Sequence, residues 1–106
     1  MRVLGFGEPH MKRIYRQGDL ILEQLEYEDA VKYAEPVSER LEIRSETGHS
    51  HILDAKVYRY AGQMLVAVEK PTPLVHPQHP TIIIERGVYR VRFVRDWLLE
   101  GQRPVD

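Results

Sequence analysis

The segment TIIIERGVYRVRFV, residues 81–94, indicates the fold class more clearly than the rest of the chain. Its first half is rich in β-branched side chains, and an Arg-Gly pair then provides a turn. In the second half, apolar side chains alternate with Arg90 and Arg92, which is the period of a strand with one buried face. The segment therefore predicts two consecutive β-strands.

The same period of two recurs through the chain. We expect strands over Asp19–Leu25, entered through Gly18, and over Leu41–Arg44, and a hairpin in which Lys56–Tyr60 and Met64–Glu69 flank an Ala-Gly turn. With the segment above, this gives seven or eight short strands. The prediction is a mainly β protein, a small single-domain antiparallel barrel or roll that could be cupin-like, with one short helix.

Three segments depart from the strand pattern. Tyr27–Glu35 predicts the short helix, which ends before Pro36. Four prolines interrupt Lys70–Pro80, which predicts a loop or an irregular edge. Asp96–Glu100 is compatible with a last helical turn.

The composition predicts one domain. The 106 residues are 42% hydrophobic and 29% charged, and the first eleven have no clear period, so we expect an N-terminal extension over 1–11 and a β-rich domain over 12–106. No apolar run is long enough to span a bilayer or to form a signal core, so we expect a cytoplasmic protein with no membrane association. The chain lacks asparagine and cysteine, a thermophile-like composition, and contains no disulfide or thiolate site.

Four of the five histidines form two tight pairs. His49 and His51 are two residues apart, and residues at that spacing share one face of a strand. His76 and His79 are three residues apart, in a segment that contains proline. Imidazole is the commonest metal ligand near neutral pH. The pairs predict a divalent-metal site at His49, His51, His76 and His79 for zinc, iron, nickel or manganese, with Glu46, Asp54 and Glu85 as carboxylates that could assist.

The sequence leaves the role of this site open. Three histidine ligands would leave a position for an activated water or a small ligand, whereas four would close the site and make it structural. The histidines could also be polar residues on a wet strand face and in an ordinary loop. Whether the protein is an enzyme is therefore undecided, and no catalytic residue is assigned. Ser50 would point away from its flanking histidines on a strand, which argues against a serine nucleophile.

The chain resembles a family of small uncharacterised prokaryotic and phage proteins. The resemblance rests on the string TGHSH (47–51), on VHPQH (75–79), on GVYRV (87–91) and on an opening segment RQGDL (16–20). It covers about Arg16 to Trp97, and it departs at Gln78, where the family has glutamate. The resemblance implies that the two histidine motifs act together, but it implies no particular reaction.

The histidine pattern is also similar to that of cupins, which place an HxH pair and a later histidine around a metal. The glutamate that follows their HxH pair is missing here, because Ile52, Leu53, Asp54 and Ala55 occupy those positions. The similarity to cupins is therefore one of architecture only.

A second function class is a binding module. Guanidinium groups next to aromatic rings can bind phosphates and stack on bases. Four arginines lie close in sequence to three aromatic residues near the end of the chain: Arg86, Arg90, Arg92 and Arg95, with Tyr89, Phe93 and Trp97. The net charge of −1 argues against a generic nucleic-acid binder, and the aromatic residues fit an apolar core better. A nucleic acid or a protein partner is therefore the alternative function, and a homo-oligomer is left open.

Overall fold

The computed structural model describes residues 12–99, with side chains described for 12–96. This part of the chain forms two antiparallel sheets that pack face to face around one core. The predicted mainly β fold is therefore confirmed, although the described strands do not close into one barrel. The expected N-terminal extension lies outside the described residues.

The described elements are ten strands, one 3₁₀ helix and one short α-helix. In chain order they are β1 (Ile14–Gln17), β2 (Leu20–Gln24), the 3₁₀ helix (Glu28–Tyr33), β3 (Glu35–Ser38), β4 (Leu41–Arg44), β5 (Ser50–Leu53), β6 (Lys56–Tyr60), β7 (Gln63–Val68), β8 (Thr72–His76), β9 (His79–Ile84), β10 (Gly87–Phe93) and α1 (Val94–Leu99). The larger sheet has the order β1-β2-β10-β7-β6-β3, and the smaller has the order β4-β5-β8-β9.

The core is formed by the alternating apolar positions of both sheets. Tyr89 in β10 is fully buried, and it pairs with Val66 of β7 on one side. From the smaller sheet, Leu53 of β5 and Leu74 of β8 are paired with each other and are almost fully buried. Burial of one such leucine stabilises the fold by about 1.5–3 kcal/mol. On the other face of β10, the side chains of Arg90 and Arg92 lie 2.6 Å and 3.9 Å from Glu23 and are half-buried beside it.

The segment 81–94 forms the two consecutive strands that its pattern predicts, but they do not pair with each other. β9 is the outer strand of the smaller sheet, whereas β10 lies inside the larger one. The turn at Gly87 therefore carries the chain from one sheet to the other. Gly87 has φ +155°, and a Cβ atom there would lie 3.0 Å from the Gln24 amide nitrogen, so the crossing has little room for a side chain.

Of the loop or irregular edge predicted over Lys70–Pro80, the loop was wrong, whereas the irregular edge fits the structure, because β9 is an edge strand and its register with β8 shifts between Leu74 and His76. Most of this segment forms β8 and the start of β9, joined by a two-residue turn. Pro80 lies in the outer strand, and Pro73 lies beyond the residues of β8 that pair with β5. Both positions tolerate a residue without an N–H group, so the prolines do not prevent pairing.

Both predicted helical segments are helical, but the first is shorter than predicted and the second begins two residues earlier, at Val94. The expected helix over Tyr27–Glu35 is a 3₁₀ helix over Glu28–Tyr33, and the expected turn near Asp96 is α1. The 3₁₀ helix has no buried residue and no side-chain cap, which fits its short length. Neither helix in the described range is long and apolar enough to cross a membrane.

Candidate functional site

The strand register brings three histidines into one row of the smaller sheet. His76 and His79 are direct partners across the turn between β8 and β9. Ile52 of β5 is paired with Val75 of β8, so His51 lies opposite His76 in the same antiparallel ladder. Because side chains alternate between the two faces of a strand, His51 points into the space between the sheets, where it is fully buried.

The imidazole rings form one cluster around His76, which we call the histidine cluster. The ring centroid of His76 lies 4.5 Å from that of His51, 4.7 Å from that of His79 and 6.1 Å from that of His49. His51 and His79 are stacked at 6.1 Å. The two sequence-distant pairs therefore meet in space, although His49 precedes β5 and is exposed.

Gln17, at the end of β1, fixes one nitrogen of His51. The Gln17 amide group donates hydrogen bonds to the backbone carbonyls of Leu74 and Pro80, at 2.9 and 3.0 Å. These two bonds fix the orientation of the amide, so its oxygen faces His51 Nδ1 at 2.8 Å and must accept a hydrogen bond from it. His51 therefore carries a proton on Nδ1.

The other nitrogen of His51 faces a carboxylate. His51 Nε2 lies 3.3 Å from Oδ1 of Asp19, whose side chain is 40% exposed. Burial lowers the pKa of His51 below its usual value, and the hydrogen bond to Asp19 opposes this effect only in part. Neutral His51 has a lone pair on Nε2, so at neutral pH two electron-pair donors face each other across this gap. A cation between them would be attracted to both.

His76 is held by two hydrogen bonds of its own. The backbone N–H of Gln78 donates to His76 Nδ1 at 3.0 Å, so the neutral ring carries its proton on Nε2 and donates it to Ser45 Oγ at 3.2 Å. The Ser45 hydroxyl in turn donates to the carbonyl of His49. Burial, together with the neighbouring His79 and His49 rings, lowers the pKa of His76. This tautomer of His76 leaves no lone pair free for a metal ion.

Gly18, in the turn between β1 and β2, makes room for His79. Its φ is +61°, in the left-handed region that favours glycine. A Cβ atom at this position would lie 2.7 Å from His79 Nε2, which is too close for any real contact. The turn that carries Asp19 and the ring of His79 therefore fit together only because residue 18 has no side chain.

The histidines were found from the sequence, but most of their partners were not. Glu46, Asp54 and Glu85 form no hydrogen bond to a histidine in the described part of the chain, and Asp54 pairs with Arg40 instead. The side chains that do hydrogen-bond to rings of the cluster, or face them at such a distance, belong to Gln17, Asp19 and Ser45. Gln17 and Asp19 belong to the segment RQGDL (16–20), one of the segments on which the family resemblance rests. That segment was the feature of the sequence that could have pointed to these two residues.

The metal assignment stays a prediction. Among the described residues, no group of three or more histidine, aspartate or glutamate side chains is already arranged to hold a metal ion.

The arginine and aromatic surface that the alternative function would use is partly occupied by contacts within the protein. Tyr89 is fully buried, which removes it from any stacking surface, while Arg95 lies 5.7 Å from the Phe93 ring centroid.

Comparison with known protein families assigns the chain to one of them. The family described as a domain of unknown function, DUF8820, matches residues 16–93, which include every residue of the histidine cluster and its partners. The chain belongs to this family. A search of curated proteins finds no match to the chain, and a search of solved structures finds none either.

Proposed function

We propose that the histidine cluster binds a divalent transition-metal ion, with His51 Nε2, the Asp19 carboxylate and His79 as ligands. The observation that supports this most directly is the gap of 3.3 Å between His51 Nε2 and Asp19 Oδ1. Two ligands placed about 2.0–2.1 Å from a tetrahedral zinc ion are themselves about 3.3 Å apart. One ion can therefore contact both atoms with almost no movement of either side chain.

The surrounding hydrogen bonds suit this role. Metal-bound histidines usually donate their second ring N–H to a fixed acceptor, which sets the tautomer and the ring orientation. Gln17 Oε1 is such an acceptor for His51 Nδ1, and it is itself fixed by two backbone carbonyls. The protein thus prepares His51 for coordination through Nε2.

The third ligand requires a small rearrangement. His79 and His49 form no side-chain hydrogen bond within the described residues, so either ring can turn without breaking one. His79 is stacked on His51, and its Nε2 lies beside Gly18, which precedes Asp19 in the chain. His49 contacts the ring of His76 and not that of His51 among the described residues, so His79 is the better candidate for the third ligand. His76 positions its neighbours, since both of its nitrogens have partners.

Three protein ligands would leave one position open on a tetrahedral ion. An open position can hold a water molecule whose pKa falls toward 7, or it can bind a small ligand directly. Recruitment of His49 as a fourth ligand would close the site and make its role structural. The proposed function is therefore metal binding, and its chemistry depends on the number of histidines that coordinate.

Calorimetric titration of tag-free, chelator-treated protein with zinc or nickel tests the proposal. We expect one ion per chain, and a metal-dependent rise in the melting temperature because the ion binds only the native arrangement. Asp19→Asn and His79→Ala should each weaken binding by about tenfold or more. Asp54→Asn is the matched control, since Asp54 is an exposed carboxylate paired with Arg40.

Two results would contradict the proposal. One is the absence of both binding heat and a melting shift with zinc, nickel, iron and manganese. The other is unchanged affinity in Asp19→Asn, which would mean that any bound ion sits elsewhere. Circular dichroism of each variant is recorded first, so that a loss of binding is not confused with a loss of the fold.

A further inference from the structure

A cavity of about 390 Å³ opens beside the histidine cluster. Its lining residues come from the end of β1, from the turn that follows and from β9: Arg16, Gln17, Gly18, His79, Pro80 and Ile82. This volume is in the range of small-molecule sites, which combine apolar walls with a few placed polar groups. The cavity therefore has the size and the mixed chemistry of a ligand pocket.

Arg16 supplies the charge of this pocket. Its Nε donates a hydrogen bond to the backbone carbonyl of Gly18 at 2.9 Å, which holds the guanidinium group against the turn that lines the cavity. No carboxylate lies within ion-pair distance of Arg16 among the described residues. Its terminal N–H groups are thus available as a fork, the geometry that binds the two oxygens of a carboxylate or phosphate.

The other walls determine what the rest of the ligand is. Ile82 and Pro80 present apolar surface, and both amide hydrogens of Gln17 are already used by backbone carbonyls. Gln17 therefore offers no donor to the cavity. His79 closes the end that adjoins the cluster, and its ring can stack on a flat group or donate a hydrogen bond to an oxyanion.

We infer that this pocket binds a small organic oxyanion, a carboxylate or phosphate with an apolar body, through Arg16 and His79. The inference goes beyond the proposed metal site, because the charge that recognises the anion belongs to Arg16 and not to a metal ion. The two sites share His79, so a ligand in the pocket would lie next to the ion.

The test uses phenyl phosphate and benzoate as probes, with inorganic phosphate as the third arm, on chelator-treated protein followed by NMR. Saturable shifts of the His79 imidazole signals are expected, and those signals are assigned by their loss in His79→Ala. Arg16→Gln should weaken binding of the probes by about tenfold or more. Arg59→Gln, an exposed arginine paired with Glu35 in another part of the larger sheet, should leave it unchanged.

Each outcome decides one point. Binding of phenyl phosphate alone, or of benzoate alone, supports the inference and identifies the oxyanion. Equal binding of inorganic phosphate and phenyl phosphate overturns the organic ligand, because the apolar walls then contribute nothing. Equal affinity in Arg16→Gln, or binding that appears only after zinc is added, overturns the pocket itself. Zinc titration of Arg16→Gln keeps the two proposals distinct, since metal affinity should be unchanged there.

Discussion

The four clustered histidines fall into two classes. His51 and His76, the inner rings, are buried, and hydrogen bonds fix three of their four nitrogens, while His51 Nε2 faces the Asp19 carboxylate. His49 and His79 are the outer rings: His49 is exposed, His79 is half-buried, and neither ring forms a hydrogen bond within the described residues. Burial of a polar group without a partner costs about 1–3 kcal/mol, which explains why the protein supplies partners to three nitrogens of the inner rings. The outer rings had no such requirement and remain available for a ligand.

Gln17→Glu should have the largest effect, because it removes the buried amide that fixes His51 and joins β1 to β8 and β9. A glutamate carboxylate would place a buried charge against the carbonyls of Leu74 and Pro80, and a protonated carboxyl could donate to only one of them. We expect a loss of about 4 kcal/mol in the free energy of unfolding, measured by urea denaturation. The exposed substitution Gln63→Glu is its control and should stay within about 0.5 kcal/mol.

His51→Ala compared with His49→Ala separates the two classes directly. The first substitution leaves a cavity and an unpaired Gln17 oxygen, so we expect it to lower the free energy of unfolding by about 3 kcal/mol. The second removes an exposed ring and should cost at most about 0.5 kcal/mol. Equal losses in metal-free protein would show that the division into inner and outer rings is wrong.

This division also explains what the sequence could predict. The alternation in residues 88–94 predicted which side chains meet the core, and Tyr89, Val91 and Phe93 do pack there. Exposure itself does not alternate along β10, because Arg90 and Arg92 are also half-buried, beside Glu23. The histidine pairs were also informative, because each pair is local in sequence. Their convergence depends on the register between β5, β8 and β9, and neither pair by itself specifies that register.

Periodicity and motif spacing could not identify the partners of the inner rings. Gln17 is more than thirty residues from His51, and a single glutamine at a strand end carries no distinctive pattern. Its role depends on β1 lying against β9, a contact between the two sheets. The loop expected over Lys70–Pro80 has the same cause. Prolines are tolerated in an outer strand such as β9 and at a position of β8 beyond its pairing with β5, and both the strand order and that pairing are properties of the whole fold.

Gly18→Ala should have a moderate effect and should move an outer ring. Alanine at a left-handed position is strained, and its Cβ would also meet His79 Nε2. Gly62→Ala is the matched control, because Gly62 has φ +77° but nothing within 4 Å of an added Cβ. We expect losses of about 2 and about 1 kcal/mol in the free energy of unfolding, respectively.

NMR distinguishes the two glycine variants further. Only Gly18→Ala should shift the His79 imidazole signals and weaken zinc binding, because only that Cβ reaches the ring. If Gly62→Ala shifts these signals to the same extent, the close packing of the turn against His79 is not what positions the ring.

The smallest expected effect is the dependence of stability on pH in metal-free protein. Burial lowers the pKa of both His51 and His76 in the folded state below about 6.5, the value of a free histidine. Above that pH both histidines are neutral in the folded and in the unfolded state, so they do not make the free energy of unfolding depend on pH. As the pH falls below it, the unfolded chain takes up protons first, so the stability that the neutral rings provide is lost progressively until the folded rings titrate as well.

Urea midpoints measured from pH 8 to pH 5 with a chelator present should therefore fall only in the acidic half of the range. His49→Gln should reduce this decline only slightly, because burial, and not the His49 ring, is the main cause of the lowered pKa of His76, whereas His76→Gln should flatten it. A decline that survives in His76→Gln and in His51→Gln would assign the pH dependence to groups outside the inner class.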